Sequence, residues 1–356
     1  MIKNKKLLWY IMLCFTCTFQ SCMVHKLKVN KSKKNFYGIK KFLSENDQID
    51  VFVTHGMGIN NMNFADDLVK GIVEKEGFNL LKDTTHHLIY SKRRVITYRK
   101  GSKQLRFTVH GWYPATGLKF ILHFMDVIPD RLETMDQFKA SLMNQSVSDV
   151  IMYQGNFRDI IRREMKNTLQ SMVNEEGSIP IVGITESLGS KIFIETINKS
   201  INDGEVWAKK WKQSITSIYM LSNQLPLLYM GDLSVSENVD KEGVAFDRKN
   251  KAMRDKLIQN IYNPLKQFTQ SLNGDKKYKP QLIAISDPND LLSYPVPEDV
   301  FYTSAYNVNN VFVSIAAKGY SWPFGKPKIV NPIKAHLNYQ KNPLVINYIL
   351  NGSINK

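Results

Sequence analysis

From residue 49 onward, strand-like apolar runs alternate with helix-like runs, and this alternation restricts the fold more than any other feature. Short β-rich runs such as "IDVFVTHG" and "IPIVGIT" end in turn residues, as buried parallel strands do. Longer runs with helical spacing lie between them, and "FRDIIRREMKNTLQSMV" is the clearest. The alternation predicts an α/β fold over residues 49–352, with a mostly parallel central sheet and helices on both faces.

The first strand end of interest carries Ser187, in "IVGITESLGSKIFIET". Functional groups of such sheets collect just beyond the carboxyl ends of the strands. A serine on a sharp strand-to-helix turn acts as a nucleophile when small residues flank it, because strand and helix pack closely there. Gly189 fits this pattern, whereas the β-branched Thr185 does not. A plain turn is the alternative.

A second strand end carries His55, Gly56 and Met57. A turn of this kind can direct a backbone N–H toward Ser187, and with the N–H of Leu188 it would form an oxyanion hole. His55 would then border the substrate, or it would be a buried structural residue beside a glycine-permissive turn.

Two later segments supply an acid and a base. The strand "PQLIAIS" is followed by Asp287 and Asp290, and either carboxylate could orient an imidazole. We favour Asp290, which lies four residues beyond Ser286 and ahead of the apolar Leu291 and Leu292. The alternative is an Asp-Pro turn in which Asp287 caps its own backbone. His336 precedes the last amphipathic run and is the candidate general base.

The chain order Ser187, Asp290, His336, each beyond its own predicted strand, resembles the α/β-hydrolase superfamily. The resemblance rests on "VFVTHGMG", "GITESLGS", "SDPNDLLSY" and "AHLNYQKNPLV" and covers roughly residues 49–352. It implies an acyl-enzyme mechanism on a carboxylic ester, as in esterases and lipases, with no metal or organic cofactor. A serine peptidase or an acyltransferase on the same triad, and a non-catalytic binding scaffold, are the alternatives.

Residues 112–156 are predicted to form a helical cap over the site. Phe120 and Phe124 would line an acyl pocket there, for an ester or lipid-like substrate, unless these helices simply pack on the sheet. Asn223 and Gln224 follow the strand "SIYMLS", where they would face substrate or form a hydrogen-bonded turn.

The first 22 residues have the pattern of a signal peptide, with the basic "MIKNKK" before the apolar "LLWYIMLCFTCTF". The following "FQSC" resembles a bacterial lipoprotein signal, in which Cys22 would be lipidated and would anchor an exported protein to a membrane. Ordinary cleavage near Ser21, giving a secreted or periplasmic protein, is the alternative. All three cysteines lie in this segment, so a disulfide framework is not expected.

The formal net charge of +16 is concentrated near the N-terminus. Three lysines of the signal segment and seven lysines of residues 23–44 account for ten of these charges, which leaves six on the other 312 residues. We therefore interpret residues 23–48 as a basic tether, suited to an anionic membrane surface or simply a soluble linker. Nucleic-acid binding is not expected, because the body holds no basic stripe interleaved with aromatics. The sequence carries no indication of an oligomeric state.

Overall fold

The computed structural model describes residues 23–26, 30–32, 34–59, 61–173, 179–233, 250–270, 279–301, 304–316, 318–321 and 329–353. The predicted signal peptide and its Cys22 lie outside these ranges, so both stay predictions. Within the ranges, no helix has the length and apolar character needed to cross a membrane.

The strands of the described residues are numbered in chain order. They are β1 (Met23–Lys26), β2 (Asn30–Ser32), β3 (Phe36–Tyr37), β4 (Gln48–Thr54), β5 (Asn79–His87), β6 (Lys92–Lys100), β7 (Lys103–Gly111), β8 (Ile181–Glu186), β9 (Ile215–Leu221), β10 (Gln281–Ser286), β11 (Asn307–Val313), β12 (Lys318–Ser321), β13 (Ile329–Val330) and β14 (Gly352–Ser353).

Nine of these strands form the central sheet, in the order β2-β11-β10-β9-β8-β4-β7-β6-β5. Strands β11, β10, β9, β8, β4 and β7 run parallel to one another. Strand β2 is antiparallel at one edge, and the β5–β6 hairpin is antiparallel at the other. The predicted mostly parallel sheet is confirmed.

The α-helices of the same ranges are numbered likewise. They are α1 (Ile39–Glu45), α2 (Asp66–Glu76), α3 (Ile121–Met125), α4 (Glu133–Phe138), α5 (Ser148–Gln154), α6 (Arg158–Gln170), α7 (Leu188–Asn202), α8 (Val206–Ser214), α9 (Leu225–Met230), α10 (Lys251–Thr269), α11 (Pro332–His336) and α12 (Pro343–Asn351). Short 3₁₀ segments and one π-helical segment, Lys139–Val147, join some of them.

Helices cover both faces of the sheet, as predicted. Successive residues of a strand point to opposite faces, so Phe52 of β4 packs with helices α6, α7 and α10. Its neighbours Val51 and Val53 pack on the other face with α1, α2 and α12. Each core contains about thirty buried apolar residues, and the two together hold the sheet between layers of helix.

Strands β4 and β8 are neighbours at the point where the chain changes direction across the sheet. The chain leaves β4 toward β7 on one side, and it leaves β8 toward β9 on the other. The carboxyl ends of two such strands border an open crevice, which is where ligands of open α/β sheets bind. The turns after β4 and β8 carry Gly56 and Ser187.

The boundary predicted for the N-terminal tether is wrong for residues 30–32 and 34–48, which belong to the folded domain. Strand β2 adds to the central sheet beside β11, and β3 pairs with β14 near the C-terminus. Helix α1 buries Ile39, Phe42 and Leu43 in the core. The high lysine content made this segment resemble a solvent-exposed linker, because only one face of so short a helix carries its buried apolar residues.

The predicted insertion at 112–156 consists of short helical segments between β7 and α6. It exposes many large apolar side chains, including Phe120 and Phe124, whose exposed fractions are 45% and 74%. By contrast, Lys119 in the same insertion is buried.

Two histidines are fully buried at the carboxyl end of the sheet. His55 directly follows β4, and His110 lies on the adjacent β7. Burial lowers the pKa of each imidazole to about 3, since the interior disfavours the charged form. His110 Nδ1 is 2.9 Å from Thr168 Oγ1.

These histidines predict a loss of stability in mild acid. The unfolded chain binds a proton at each imidazole below pH about 6.5, whereas the folded chain does not until pH about 3. Stability therefore falls as the pH decreases through this window. Between pH 7 and pH 5, His110→Phe should lose about 2 kcal/mol less unfolding free energy than the wild type. Urea unfolding at both pH values measures the difference.

The matched control is His86→Phe, at an exposed position of strand β5. It should lose as much stability as the wild type between the two pH values. An equal loss in all three proteins would contradict the assignment of the proton uptake to His110.

Candidate active site

Ser187 occupies a sharp turn between β8 and α7. Its backbone dihedrals are φ 52° and ψ −124°, a combination that costs a non-glycine residue about 1–3 kcal/mol. The turn is held by a 2.9 Å hydrogen bond that the Ser187 N–H donates to the carbonyl of Leu221 on β9. This conformation places the serine at the N-terminus of a 15-residue helix. The side chain is buried, and its Oγ has no hydrogen-bond partner among the described residues.

Two glycines allow the turn after β4 to touch this serine turn. A Cβ on Gly56 would lie 2.7 Å from Ser187 Cβ and 3.2 Å from its Oγ. A Cβ on Gly189 would lie 2.2 Å from the carbonyl oxygen of His55. Any side chain at either position would therefore separate the two turns. The backbone N–H of Leu188 opens helix α7 and has no partner within the helix, so it is available beside Ser187.

Thr185 fits the serine turn despite the prediction that its β-branch would be unfavourable there. The residue is fully buried, and its Oγ1 lies 2.8 Å from Ser190 Oγ. It stands between Thr54 of β4 and Met220 of β9 in the sheet register. The partner Ser190 lies one helical turn further on, and we did not single it out from the sequence.

His55 anchors the turn after β4 from within the core. Its imidazole stacks on Trp112 at 4.7 Å between ring centroids, and its Nε2 accepts the N–H of Trp112 at 3.2 Å. The Trp112 indole N–H donates in turn to the His55 carbonyl at 3.1 Å. His55 Nδ1 is 2.6 Å from the carbonyl of Gly56. These contacts make His55 the buried structural residue that was one of the two expectations.

A buried ion pair holds the far end of the same turn. Lys119 Nζ lies 2.7 and 2.9 Å from the two carboxylate oxygens of Asp149, and both side chains are almost fully inaccessible. Asp149 Oδ2 also accepts the backbone N–H of Gly58 at 2.8 Å. The segment 113–154 is thereby tied to the turn that carries Gly56 and Met57.

The acid and the base lie together at the ends of β10 and α11. His336 Nδ1 is 3.0 and 3.1 Å from the two carboxylate oxygens of Asp290. Three further donors reach the same carboxylate: the hydroxyls of Ser222 at 2.8 Å and Tyr339 at 3.0 Å, and the N–H of Leu292 at 3.0 Å. Burial alone would raise the pKa of Asp290. The hydrogen bond and charge of His336, with the Ser222 hydroxyl and the Leu292 N–H, bring it below its ordinary value.

The alternative acid, Asp287, has a different set of partners. Its Oδ2 accepts the backbone N–H groups of Ile315 at 2.6 Å and Ala316 at 2.9 Å, just beyond β11. Its Oδ1 accepts the N–H of Asn289 at 2.8 Å, as a turn-capping aspartate does. Asp287 thus joins the ends of β10 and β11.

The other imidazole nitrogen faces an amide rather than the serine. Gln224 Nε2 lies 3.2 Å from His336 Nε2. An amide nitrogen only donates, so Nε2 is the acceptor and Nδ1 carries the proton toward Asp290. Asn223 forms a turn instead, with its Nδ2 donating to the carbonyl of Tyr294 at 2.8 Å.

Several neighbours of the acid were missed by sequence reasoning. Ser222 follows β9 with φ 50°, the same unusual sign as Ser187, and no short motif marks it. Glu186 precedes the serine, and burial raises the pKa of its carboxyl although the Gln340 amide donates to it at 2.7 Å. Their positions were a signal for both, since Glu186 is the last residue of β8 and Ser222 directly follows β9.

The arrangement provides a serine with helix N–H groups beside it, and a histidine with a proton-accepting Nε2 backed by an ionised carboxylate. Such groups perform nucleophilic acyl chemistry once the serine and histidine come within hydrogen-bond reach. The described residues contain no group of three or more histidine, cysteine or acidic side chains that could hold a metal ion.

Because the Lys119–Asp149 pair is buried, a mutation that breaks it should lower the free energy of unfolding strongly. Asp149→Asn leaves an ammonium buried without its counter-charge and weakens the bond to Gly58. We expect the free energy of unfolding to fall by about 3–5 kcal/mol, measured by urea unfolding. The matched control, Glu74→Gln, breaks the exposed Lys70–Glu74 pair and should cost under about 0.5 kcal/mol. Equal effects would contradict the anchoring role of Asp149.

Comparisons with known proteins add little to this description. No protein-family model matches the chain. No curated protein matches it either. Among solved structures, the type II thioesterase BorB from the borrelidin biosynthetic cluster is similar at 10% sequence identity and a TM-score of 0.30, over 81% of this chain and 91% of that one. A likeness this distant carries no argument about chemistry.

Proposed function

We propose that this protein is a serine hydrolase that cleaves carboxylic esters through Ser187, His336 and Asp290, as esterases and lipases do. The observation that carries the proposal is the strained turn at Ser187, at a helix N-terminus, on the same sheet edge as the hydrogen-bonded His336–Asp290 pair. A protein stores strain of this kind where a reactive side chain must be presented.

The reaction takes place in two acyl transfers. Ser187 Oγ attacks the ester carbonyl carbon while His336 Nε2 takes the hydroxyl proton, and the carbonyl oxygen becomes an oxyanion. The N–H groups of Leu188 and of the Gly56–Met57 turn would stabilise that oxyanion. The C–O bond to the alcohol then breaks, and the alcohol leaves with the proton from His336. Water gives a proton to His336, attacks the acyl-serine and releases the carboxylic acid, while the proton returns to Ser187.

The first step requires His336 Nε2 to exchange Gln224 for Ser187 as its partner. Gln224 directly precedes helix α9 and donates one hydrogen bond of 3.2 Å to the imidazole. Substrate-free sites often hold their catalytic hydrogen bonds long or unmade, and the bonds tighten in the complex.

The second candidate is a non-catalytic binding scaffold on the same fold. The unpaired Ser187 hydroxyl and the Gln224 contact favour it. Measurable turnover of a 4-nitrophenyl ester that His336→Ala abolishes would exclude it. A serine peptidase or an acyltransferase on the same residues would be recognised by peptide cleavage, or by transfer of the acyl group to an added alcohol in preference to water.

The location of the enzyme is part of the proposal. The signal-like segment and Cys22 support an exported lipoprotein of the cell envelope, held at a membrane by its N-terminal lipid. A secreted or periplasmic form without lipid is the alternative. Metabolic labelling with a fatty-acid probe, lost in Cys22→Ser, distinguishes the two.

Ser187→Ala should abolish labelling by a fluorophosphonate probe, because the probe bonds only to an activated serine. It should also lower kcat for 4-nitrophenyl butyrate by about a thousandfold or more. Ser171→Ala, at an exposed position after α6, is the matched control and should keep wild-type labelling and kcat. Equal labelling of both variants would remove Ser187 from the mechanism.

The two carboxylates at the end of β10 should behave differently. Asp290→Asn no longer fixes the imidazole tautomer, so we expect kcat to fall by about 10³–10⁴. Asp287→Asn weakens two backbone hydrogen bonds beyond β11. It should lower the free energy of unfolding by about 1–3 kcal/mol and change kcat less than tenfold. The reverse pattern would make Asp287 the acid.

A further inference from the structure

A small cavity of about 170 Å³ lies beside the His336–Asp290 pair. Its polar lining consists of these two side chains with Ser141 and Ser146, and no lysine or arginine of the described residues borders it. The rest of its lining is apolar: Met57, Phe138, Leu142, Leu291, Leu292 and Leu337. A site without a cation has nothing to pair with a carboxylate or phosphate, so its chemistry suits an uncharged hydrocarbon group.

The cavity borders two of the three residues proposed for catalysis, His336 and Asp290, whereas Ser187 does not line it. Leu291 and Leu292 directly follow Asp290, and Leu337 directly follows His336. Met57 follows Gly56, whose backbone touches Ser187. The segments after Asp290, His336 and Gly56 therefore each supply apolar residues to the lining of the cavity.

The remaining wall comes from the segment between β7 and α6. Phe138 ends helix α4, and Leu142 lies in the π-helical segment that follows it. Phe120 and Phe124 were candidates to line an acyl pocket, but neither borders this cavity. The helical period did not reveal which turn of the segment faces the site, because apolar residues occur on all sides of it.

The volume indicates the size of the group that the cavity holds. A dry cavity of about 150 Å³ accommodates benzene, so this one accepts a group of about six carbons. The mouth is apolar as well, since Leu291, Phe138 and Leu337 are 74%, 41% and 40% exposed. Longer chains would emerge over this rim.

We propose that the cavity binds an uncharged hydrocarbon group of about six carbons on the ester substrate, and that Leu142 sets its length. The group belongs to the acyl side or to the alcohol side of the ester. This inference rests on the proposed hydrolase function, but its test can fail separately.

The experiment measures kcat/KM for two ester series in the full chain. One series is 4-nitrophenyl esters with acyl chains of two to ten carbons, and the other is acetates of straight alcohols of the same lengths. In the series whose variable chain enters the cavity, kcat/KM should rise about three- to fourfold for each added methylene up to about six carbons. Beyond that length, kcat/KM should stay constant. Leu142→Trp fills the cavity and should lower the six-carbon to two-carbon ratio at least tenfold.

Met143→Trp is the matched control, because Met143 adjoins Leu142, is 47% exposed and does not border the cavity. It should retain the wild-type chain-length profile. Flat chain-length profiles in both series, or the same profile in the two tryptophan variants, would overturn the pocket proposal. The hydrolase proposal would still stand if esters are turned over and Ser187 is labelled.

A binding measurement keeps the pocket testable if no ester is turned over. In Ser187→Ala, hexyl acetate and 4-nitrophenyl hexanoate are tested as unreacted ligands by thermal shift. One of them should raise Tm, and the rise should be lost when Leu142→Trp is added but kept with Met143→Trp. No shift with either ligand would overturn the pocket, and a shift without turnover would support a binding scaffold instead.

Discussion

The contact between the turns after β4 and β8 is the constraint on which the site depends. The backbone of Gly56 lies against Ser187, and Gly189 lies against the carbonyl of His55, with no room for a Cβ at either glycine. Strands β4 and β8 are neighbours where the chain connections diverge, so this contact closes the floor of the crevice between them. The strained φ of Ser187 persists because the packing on both sides leaves the turn no alternative.

Buried polar groups support the two halves of the site by different means. On the β4 side, His55 is kept neutral by burial and stacks on Trp112, while the Lys119–Asp149 pair holds Gly58. Beside β10, the carboxylate of Asp290 accepts four donors, which keeps it ionised in a largely buried position. A buried charge is tolerated only when it is paired and fully hydrogen-bonded. These networks hold the Ser187 turn and the His336–Asp290 pair independently of each other, and Ser187 Oγ has no hydrogen-bond partner among the described residues.

Most of the fold was predictable, because strand and helix periodicity is a local property of the chain. The parallel sheet, its two helical layers and the residues at the strand ends followed from that periodicity. The start of the domain did not, since β2 pairs with β11 and β3 pairs with β14, both of which come much later in the chain. The sequence also predicted that Asp290 rather than Asp287 would accompany His336, and the two side chains are in contact. The supporting contacts of Thr185 with Ser190, and of Asp290 with Ser222, join side chains that no spacing rule connects.

By itself, the sequence determined that the chain forms an α/β sheet and which polar residues end its strands, because alternation and turn residues act over a few positions. Only the tertiary structure decided that Gln224 rather than Ser187 faces Nε2 of His336, and that Leu142 rather than Phe120 borders the cavity. Those outcomes depend on how loops from distant parts of the chain pack against one another. Shifts of a few ångströms in loop position decide which side chains touch, and short sequence patterns do not predict such shifts.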